Sequence, residues 1–203
     1  MTSTIAPVIK QLKQYKKQTI NVVDVGSARA AFLVELRKVV ALDRIFSIGI
    51  DPVHDGHGGE YTKFYHACVD NIEEEYEVEF FVNPKDDQGG TLCSGKEWDT
   101  KKVKVMNLDT IIKDQIPEEL IHFIKIDAEG KDIDIVKSLT KEVTNRVKYI
   151  AIECPSSVAR FDGEYNMDQC IEYFDSIGFN VCHHYRDGKT DLNDVVFVNR
   201  MEL

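Results

Sequence analysis

Carboxylates recur in this chain at one kind of place, at the end of a short apolar run. Asp24 stands at the end of Ile20-Asn-Val-Val-Asp-Val25, just before Gly26 and Ser27. Asp51 follows Ile45-Phe-Ser-Ile-Gly-Ile50, and Asp70 follows Ala67-Cys-Val69. Asp127 and Glu129 follow Phe123-Ile-Lys-Ile126, and Glu153 follows Tyr149-Ile-Ala-Ile152. In open α/β sheets, the carboxyl ends of the strands border the crevice that takes the ligand. Acids there can accept from hydroxyls, pair with a cation, hold a divalent ion or take a proton. Each also has a plainer use, capping a turn or the helix that follows.

The first of these acids narrows the choice of ligand. Strand, glycine turn and helix form a nucleotide-cofactor opening. A dinucleotide fingerprint wants glycine where Asp24 stands, because the turn meets a pyrophosphate that a carboxylate would repel. An amino-acid ammonium suits that carboxylate instead. S-adenosylmethionine carries such an ammonium, a sulfonium and a ribose, so Asp24-x-Gly26 favours it over NAD. Asp51, about 25 residues beyond the turn, can accept from both ribose hydroxyls. Asp70 can accept from the adenine amino group. Asp127 and Glu129 then fall beside the reactive end of the cofactor. Glu153 is expected one strand spacing from Asp127.

These acids need a sheet to line them up, and the pattern of the chain supplies one. Residues 20–25, 44–50, 62–69, 123–126 and 149–155 read as core strands, rich in β-branched residues. Residues 78–82 and 102–106 read as further short strands. Residues 179–185 and 194–198 form a closing pair. Helices are expected over 4–18, 28–40, 108–113, 132–139 and 167–177, with Asn107 and Asn166 as caps. Strand and helix alternate, which gives an α/β fold. The expected architecture is a Rossmann-like sheet of about seven strands, mostly parallel, with one antiparallel edge strand and helices on both faces.

Length and composition set limits. The 203 residues suit one full domain, with residues 1–18 leading into it. A net charge of −10 disfavours non-specific binding to nucleic acid or anionic membranes. No secretory signal and no membrane-length apolar run is read, so a cytoplasmic protein is expected. The five cysteines are scattered, with no Cys-x-x-Cys pair, and read as reduced thiols. Loops 53–60, 83–95 and 156–166 are candidate lids. The last carries Arg160, Phe161, Asp162 and Tyr165, which suit an acceptor pocket. In the first, His54, Asp55, His57 and Glu60 resemble metal ligands, but its glycines argue against a preset cage, and no metal site is assigned.

The ordered motifs resemble one family. Val23-Asp-Val-Gly-Ser, Ile48-Gly-Ile-Asp-Pro, Asn107-Leu-Asp-Thr-Ile, Ile124-Lys-Ile-Asp-Ala-Glu-Gly, Ile152-Glu and Asp194-Val-Val-Phe-Val together resemble the FkbM-type methyltransferases of the class I S-adenosylmethionine-dependent group. The resemblance covers residues 20–200. It implies methyl transfer, usually to a hydroxyl oxygen of a small molecule or glycan, with S-adenosylhomocysteine as product. It implies Asp24 and Gly26 near the methionine moiety, Asp51 on the ribose, and Asp127 and Glu129 in the active-site mouth. The first loop departs from the family's common Gly-Ala-Asn-x-Gly. Ala30 replaces the later glycine and Arg29 is added, narrowing the backbone's approach to the cofactor. That departure supports a second reading, a methyltransferase-like module that binds without catalysis. A third reading, an NAD-dependent oxidoreductase, has Asp24 against it. The proton acceptor is open among Asp127, Glu153 and a loop histidine.

Overall fold

A computed structural model describes residues 2–15, 17–54, 60–82, 90–91, 99–186 and 190–201. The chain opens with helix α1 (Thr2–Gln11) and a 3₁₀ turn (Leu12–Gln14), then enters strand β1 (Ile20–Val25). Helix α2 (Ala31–Arg37) and strands β2 (Ile45–Ile50), β3 (Lys63–Tyr65), β4 (Cys68–Val69), β5 (Tyr76–Val82), β6 (Gly90–Thr91) and β7 (Asp99–Met106) follow. Next come α3 (Leu108–Gln115), β8 (Ile121–Ile126), α4 (Asp132–Lys137), α5 (Lys141–Thr144) and β9 (Val147–Pro155). Helix α6 (Met167–Ser176) and strands β10 (Phe179–Arg186) and β11 (Leu192–Asn199) complete the chain.

Seven strands form the main sheet in the order β10-β11-β9-β8-β1-β2-β3. β1 runs parallel to β2 on one side and to β8 on the other, and β8 runs parallel to β9. β11 is antiparallel to both β9 and β10, so the single reversed strand lies at that end of the sheet. All six residues of β1 and all six of β8 are buried. Strands covered on both faces read as continuous apolar runs, which is why these two were legible. Val23, Val25, Ile124 and Ile126 pack on one face with Ile111, Ile135 and Phe174 from α3, α4 and α6. Ile20, Val22 and Phe123 pack on the other with Ile5, Val8 and Ile9 of α1 and Phe32, Leu33 and Leu36 of α2. Connections leave β1 toward β2 and arrive from β8 on the opposite side. The topological switch therefore falls between the carboxyl ends of β1 and β8.

Several elements differ from the sequence expectation. Helix α2 starts at Ala31 rather than residue 28, because Ala28 (φ 41°) and Ala30 (φ 55°) take left-handed backbone that no α-helix accommodates. The expected strand 62–69 is two strands in two sheets. β3 pairs with β2 through Lys63–Tyr65, whereas Cys68 and Val69 pair with Val105 and Met106. β4, β7, β5 and β6 form a second, four-stranded sheet, which the sequence reading did not separate. Its own small core holds Cys68, Phe80, Val103 and Val105. Its register sets Glu77 opposite Lys104 and Glu79 opposite Lys102, so charge complements charge across the pair. Helix α5 was not anticipated. Asn107 and Asn166 cap α3 and α6 as expected, the latter in a full capping box with Gln169.

Cys68, Cys154 and Cys170 are buried free thiols. Among the described residues no helix is long and apolar enough to cross a membrane. Most of the glycine-rich loop at 55–59, the polar stretch at 83–89 and 92–98 with Cys93 and Trp98, and the turn at Asp187-Gly188 lie outside the described residues.

Candidate active site

The turn after β1 is held from three sides. Gly26 adopts φ +67°, and a Cβ built there would stand 1.9 Å from the carbonyl oxygen of Asp127, so only glycine fits. The backbone N–H of Asp127 donates to the Val25 carbonyl at 3.1 Å, which locks the end of β8 onto the same turn. The N–H groups of Gly26 and Ser27 both donate to the Ile50 carbonyl, at 2.9 and 3.3 Å, which joins the turn to the end of β2.

Beneath the turn lies a buried polar cluster. Asp24 is 1% exposed. Its Oδ1 is 3.1 Å from Lys125 Nζ, and its Oδ2 accepts from the Tyr61 hydroxyl at 2.5 Å. Lys125 Nζ also donates to the Gly26 carbonyl at 2.8 Å and lies 3.6 Å from Asp127 Oδ2. Burial opposes the Lys125 charge, but Asp24 and Asp127 more than offset it and hold the ammonium above the ordinary lysine value. Burial pushes the Asp24 carboxyl up against the pull of Lys125. Gly49 makes the arrangement sterically possible, because a Cβ there would come within 2.6 Å of the Tyr61 ring. Lys125 and Tyr61 were not singled out from sequence. The available signal was a lysine inside the apolar run Phe-Ile-Lys-Ile, where a buried charge demands a partner.

Asp51 sits at the end of β2 and is 5% exposed. Its Oδ2 accepts from the Ala28 N–H at 2.8 Å, which braces the left-handed turn. Its Oδ1 accepts the N–H groups of Val53 and His54, both at 2.8 Å, and lies 3.2 Å from His54 Nδ1. A carboxylate offers about four acceptor sites, so among the described residues Oδ2 keeps capacity for one more donor. Asp70 accepts from the Asn71 N–H at 2.8 Å and pairs with Lys131 at 3.4 Å, which draws it toward the loop after β8.

The structure brings the other three acids together. Asp127, Glu129 and Glu153 each place a carboxylate oxygen within 4.8 Å of the others, a spacing that suits a divalent cation. A guanidinium already engages two of them: Arg160 Nη1 is 2.9 Å from Glu153 and 3.3 Å from Glu129. The same side chain donates Nε and Nη2 to Glu164 Oε1 at 2.9 and 2.7 Å. Burial, then the nearby Asp127, raises Glu153 to about 7 despite the opposing Arg160. Asp132, 4% exposed, accepts from the Ala128 N–H at 3.2 Å and from the Glu153 N–H at 3.1 Å. It thereby spans the ends of β8 and β9. Burial drives its carboxyl well above the ordinary range. From the sequence alone, Asp132 marks only a helix start. A small, partly open cleft lies here, lined by Gly130, Asp132, Ile133, Glu153, Glu164, Tyr165 and Cys170.

The chain is similar in fold to Burkholderia thailandensis 1,6-didemethyltoxoflavin-N1-methyltransferase, solved with 1,6-didemethyltoxoflavin and S-adenosylhomocysteine bound. That match has 10% identity and a TM-score of 0.50 over 98% of this chain and 80% of that one. It is also similar to the CurJ carbon methyltransferase, with 7% identity and a TM-score of 0.54 over 97% of this chain and 54% of that one. Identities this low speak for the fold alone. Comparison with curated proteins gives no match. The family model described as the Methyltransferase FkbM domain matches residues 9–181, which removes the ground for a nicotinamide-dependent oxidoreductase. With most of its length matched by that model, the chain belongs to the FkbM methyltransferase family.

Proposed function

We propose that the chain transfers a methyl group from S-adenosylmethionine to a hydroxyl oxygen of a small molecule or glycan. The observation that carries this reading is the arc of carboxylates at the switch point. Asp51 braces the turn, Asp127 abuts Gly26, and Glu153 stands one strand further along with a pKa near 7. S-adenosylmethionine, when bound, supplies a methyl group activated by its sulfonium. The residues present suit its functional groups. Asp51 Oδ2 has capacity for a ribose hydroxyl, Asp127 offers a half-buried carboxylate for the ammonium, and Gly26 and Ser27 bring backbone close. Asp70, tied to Lys131, is the acceptor we assign to the adenine amino group.

Glu153 is the best-suited proton acceptor. A general base works best when its pKa lies near the working pH. Arg160 fixes the carboxylate in place, and Asp132 fixes its backbone. Glu129 shares the guanidinium and so acts on the orientation of Glu153. We read residues 1–203 as one methyltransferase domain. We place it in the cytoplasm, where buried free thiols such as Cys68, Cys154 and Cys170 stay reduced.

Isothermal titration with S-adenosylmethionine and S-adenosylhomocysteine tests the cofactor, with Asp51→Ala alongside. Binding that weakens in the variant supports the reading, and no binding of either ligand refutes it. Mass spectrometry over a panel of hydroxyl acceptors then tests the transfer. The left-handed Ala28 and Ala30 favour a second reading, a module that binds the cofactor without turnover. Tight S-adenosylhomocysteine binding with no methylated acceptor across the panel selects that reading.

A further inference from the structure

Of Asp24 and Asp127, the two acids beside Lys125 at the cofactor turn, only Asp127 is open to a ligand. Asp24 is 1% exposed, with Lys125 at one oxygen and the Tyr61 hydroxyl at the other. The Asp127 side chain is 30% exposed. Lys125 stands between the two acids. It donates to the Gly26 carbonyl at 2.8 Å, lies 3.5 Å from the Val25 carbonyl, and is nearer Asp24 (3.1 Å) than Asp127 (3.6 Å). Asp24 thus already has an ammonium partner, and it belongs to the chain itself. Tyr61 fills the space above Gly49 and closes the remaining side of Asp24.

We propose that Lys125 is a positioning residue that occupies Asp24, pins the Gly26 turn through its carbonyl, and leaves Asp127 as the carboxylate that receives the cofactor's ammonium. This rests on the S-adenosylmethionine reading above. The pin is needed because the turn runs through three left-handed residues, Gly26, Ala28 and Ala30, two of them not glycine. Asp51 braces the turn at the Ala28 N–H and Lys125 braces it at the Gly26 carbonyl. The family motif's first acid is thus structural in this chain, and its partner is the lysine of Ile124-Lys-Ile-Asp127.

The test compares S-adenosylhomocysteine with its analogue lacking the α-amino group, by titration calorimetry. Wild type is expected to prefer the amino form by at least about tenfold. Asp127→Asn is expected to erase most of that preference, while Asp24→Asn keeps it whatever happens to overall affinity. The double variant Asp24→Asn/Lys125→Met removes both charges of the buried pair, so neither is left uncompensated. It is expected to unfold cooperatively, yet to bind S-adenosylhomocysteine at least about tenfold more weakly. Its amides at 27–30 are expected to exchange faster than in wild type without ligand. Loss of the amino preference in Asp24→Asn, or a double variant with wild-type affinity and exchange, overturns the proposal. A wild-type chain that binds neither ligand refutes the cofactor reading and the Asp127 assignment with it. The exchange measurement, which needs no ligand, still decides whether Lys125 pins the turn.

Discussion

At the scale of single residues, the site works by setting charges against one another. Glu153 is raised to about 7 by burial and by Asp127, and Arg160 opposes that rise. A general base must be deprotonated, so kcat/KM should climb with pH through that value and level off above it. Removing Arg160 takes away the main lowering charge. Arg160→Leu should therefore move the climb to higher pH by about one pH unit, since a cation this close lowers a carboxyl by that much or more. Glu153→Gln should abolish the climb and cut the rate by about a hundredfold or more, within the usual worth of a positioned base. An unchanged profile in both variants would remove Glu153 from the chemistry. Gly26 makes a steric claim of the same sharpness. An alanine there meets the Asp127 carbonyl at 1.9 Å on a left-handed backbone. Gly26→Ala should cost roughly 3 kcal/mol from overpacking and backbone strain together. In a chain of this size that lowers the melting temperature by about 6–12 °C.

At the scale of elements, β8 carries the site at one end and a pH-dependent brace at the other. His122, 2% exposed, accepts the Asn21 N–H at Nδ1 (3.2 Å) and meets the Tyr15 ring edge-on at 4.6 Å. It thereby joins β8 to β1 and to the segment after α1. Burial lowers its pKa to about 4. The unfolded chain takes up this proton near 6.5, while the folded chain does so only near 4. The stability it contributes is complete above 6.5 and is lost as pH falls, a difference on the order of 3 kcal/mol across that window. Glu153 works in the opposite sense, because its raised pKa makes acidification stabilising between its ordinary value and 7. Comparison with His122→Phe cancels that shared part. Urea midpoints at pH 7 and pH 4.5 should fall further in wild type than in the variant. An equal fall in both would show that His122 charges freely in the folded state. The same element scale marks how far the sequence could be read. β1, β2, β8 and β9 are continuous apolar runs ending in acids, so both the sheet and the acids on its rim were legible. Residues 62–69 were not, since nothing in Lys-Phe-Tyr-His-Ala-Cys-Val states that the chain leaves one sheet at His66 and joins another. Lys125 and Asp132 were missed for a related reason. A lone charge in a core strand and an acid at a helix start gain their meaning only from partners about 100 and 20 residues away.

At the scale of the whole molecule, charge decides what kind of acceptor can approach. The chain carries a net charge of −10. Its mouth holds Asp127, Glu129, Asp132, Glu153 and Glu164, against Arg160 and Lys125. Nearby cations are already engaged, Lys131 by Asp70 and Asp134, and Lys137 by Asp134 and Tyr165. Among the described residues of this opening, a polyanion meets Asp127, Glu129 and Glu153 together with cations that are already paired. The exposed lysines of the leading segment, Lys10, Lys13 and Lys17, form a separate and short basic stretch. If all three touched phosphates, the slope of log affinity on log salt would be no steeper than about −3, which describes weak non-specific attachment. A neutral or cationic hydroxyl compound meets no such barrier. Fluorescence anisotropy with a short RNA should therefore give a dissociation constant weaker than about 100 µM near physiological salt, with a shallow slope. A constant near 1 µM with a slope of about −5 or steeper would point to a basic surface of at least five phosphate contacts. It would turn the acceptor from a small hydroxyl compound to a nucleic acid, while leaving the cofactor assignment at Gly26, Asp51 and Asp127 as it stands.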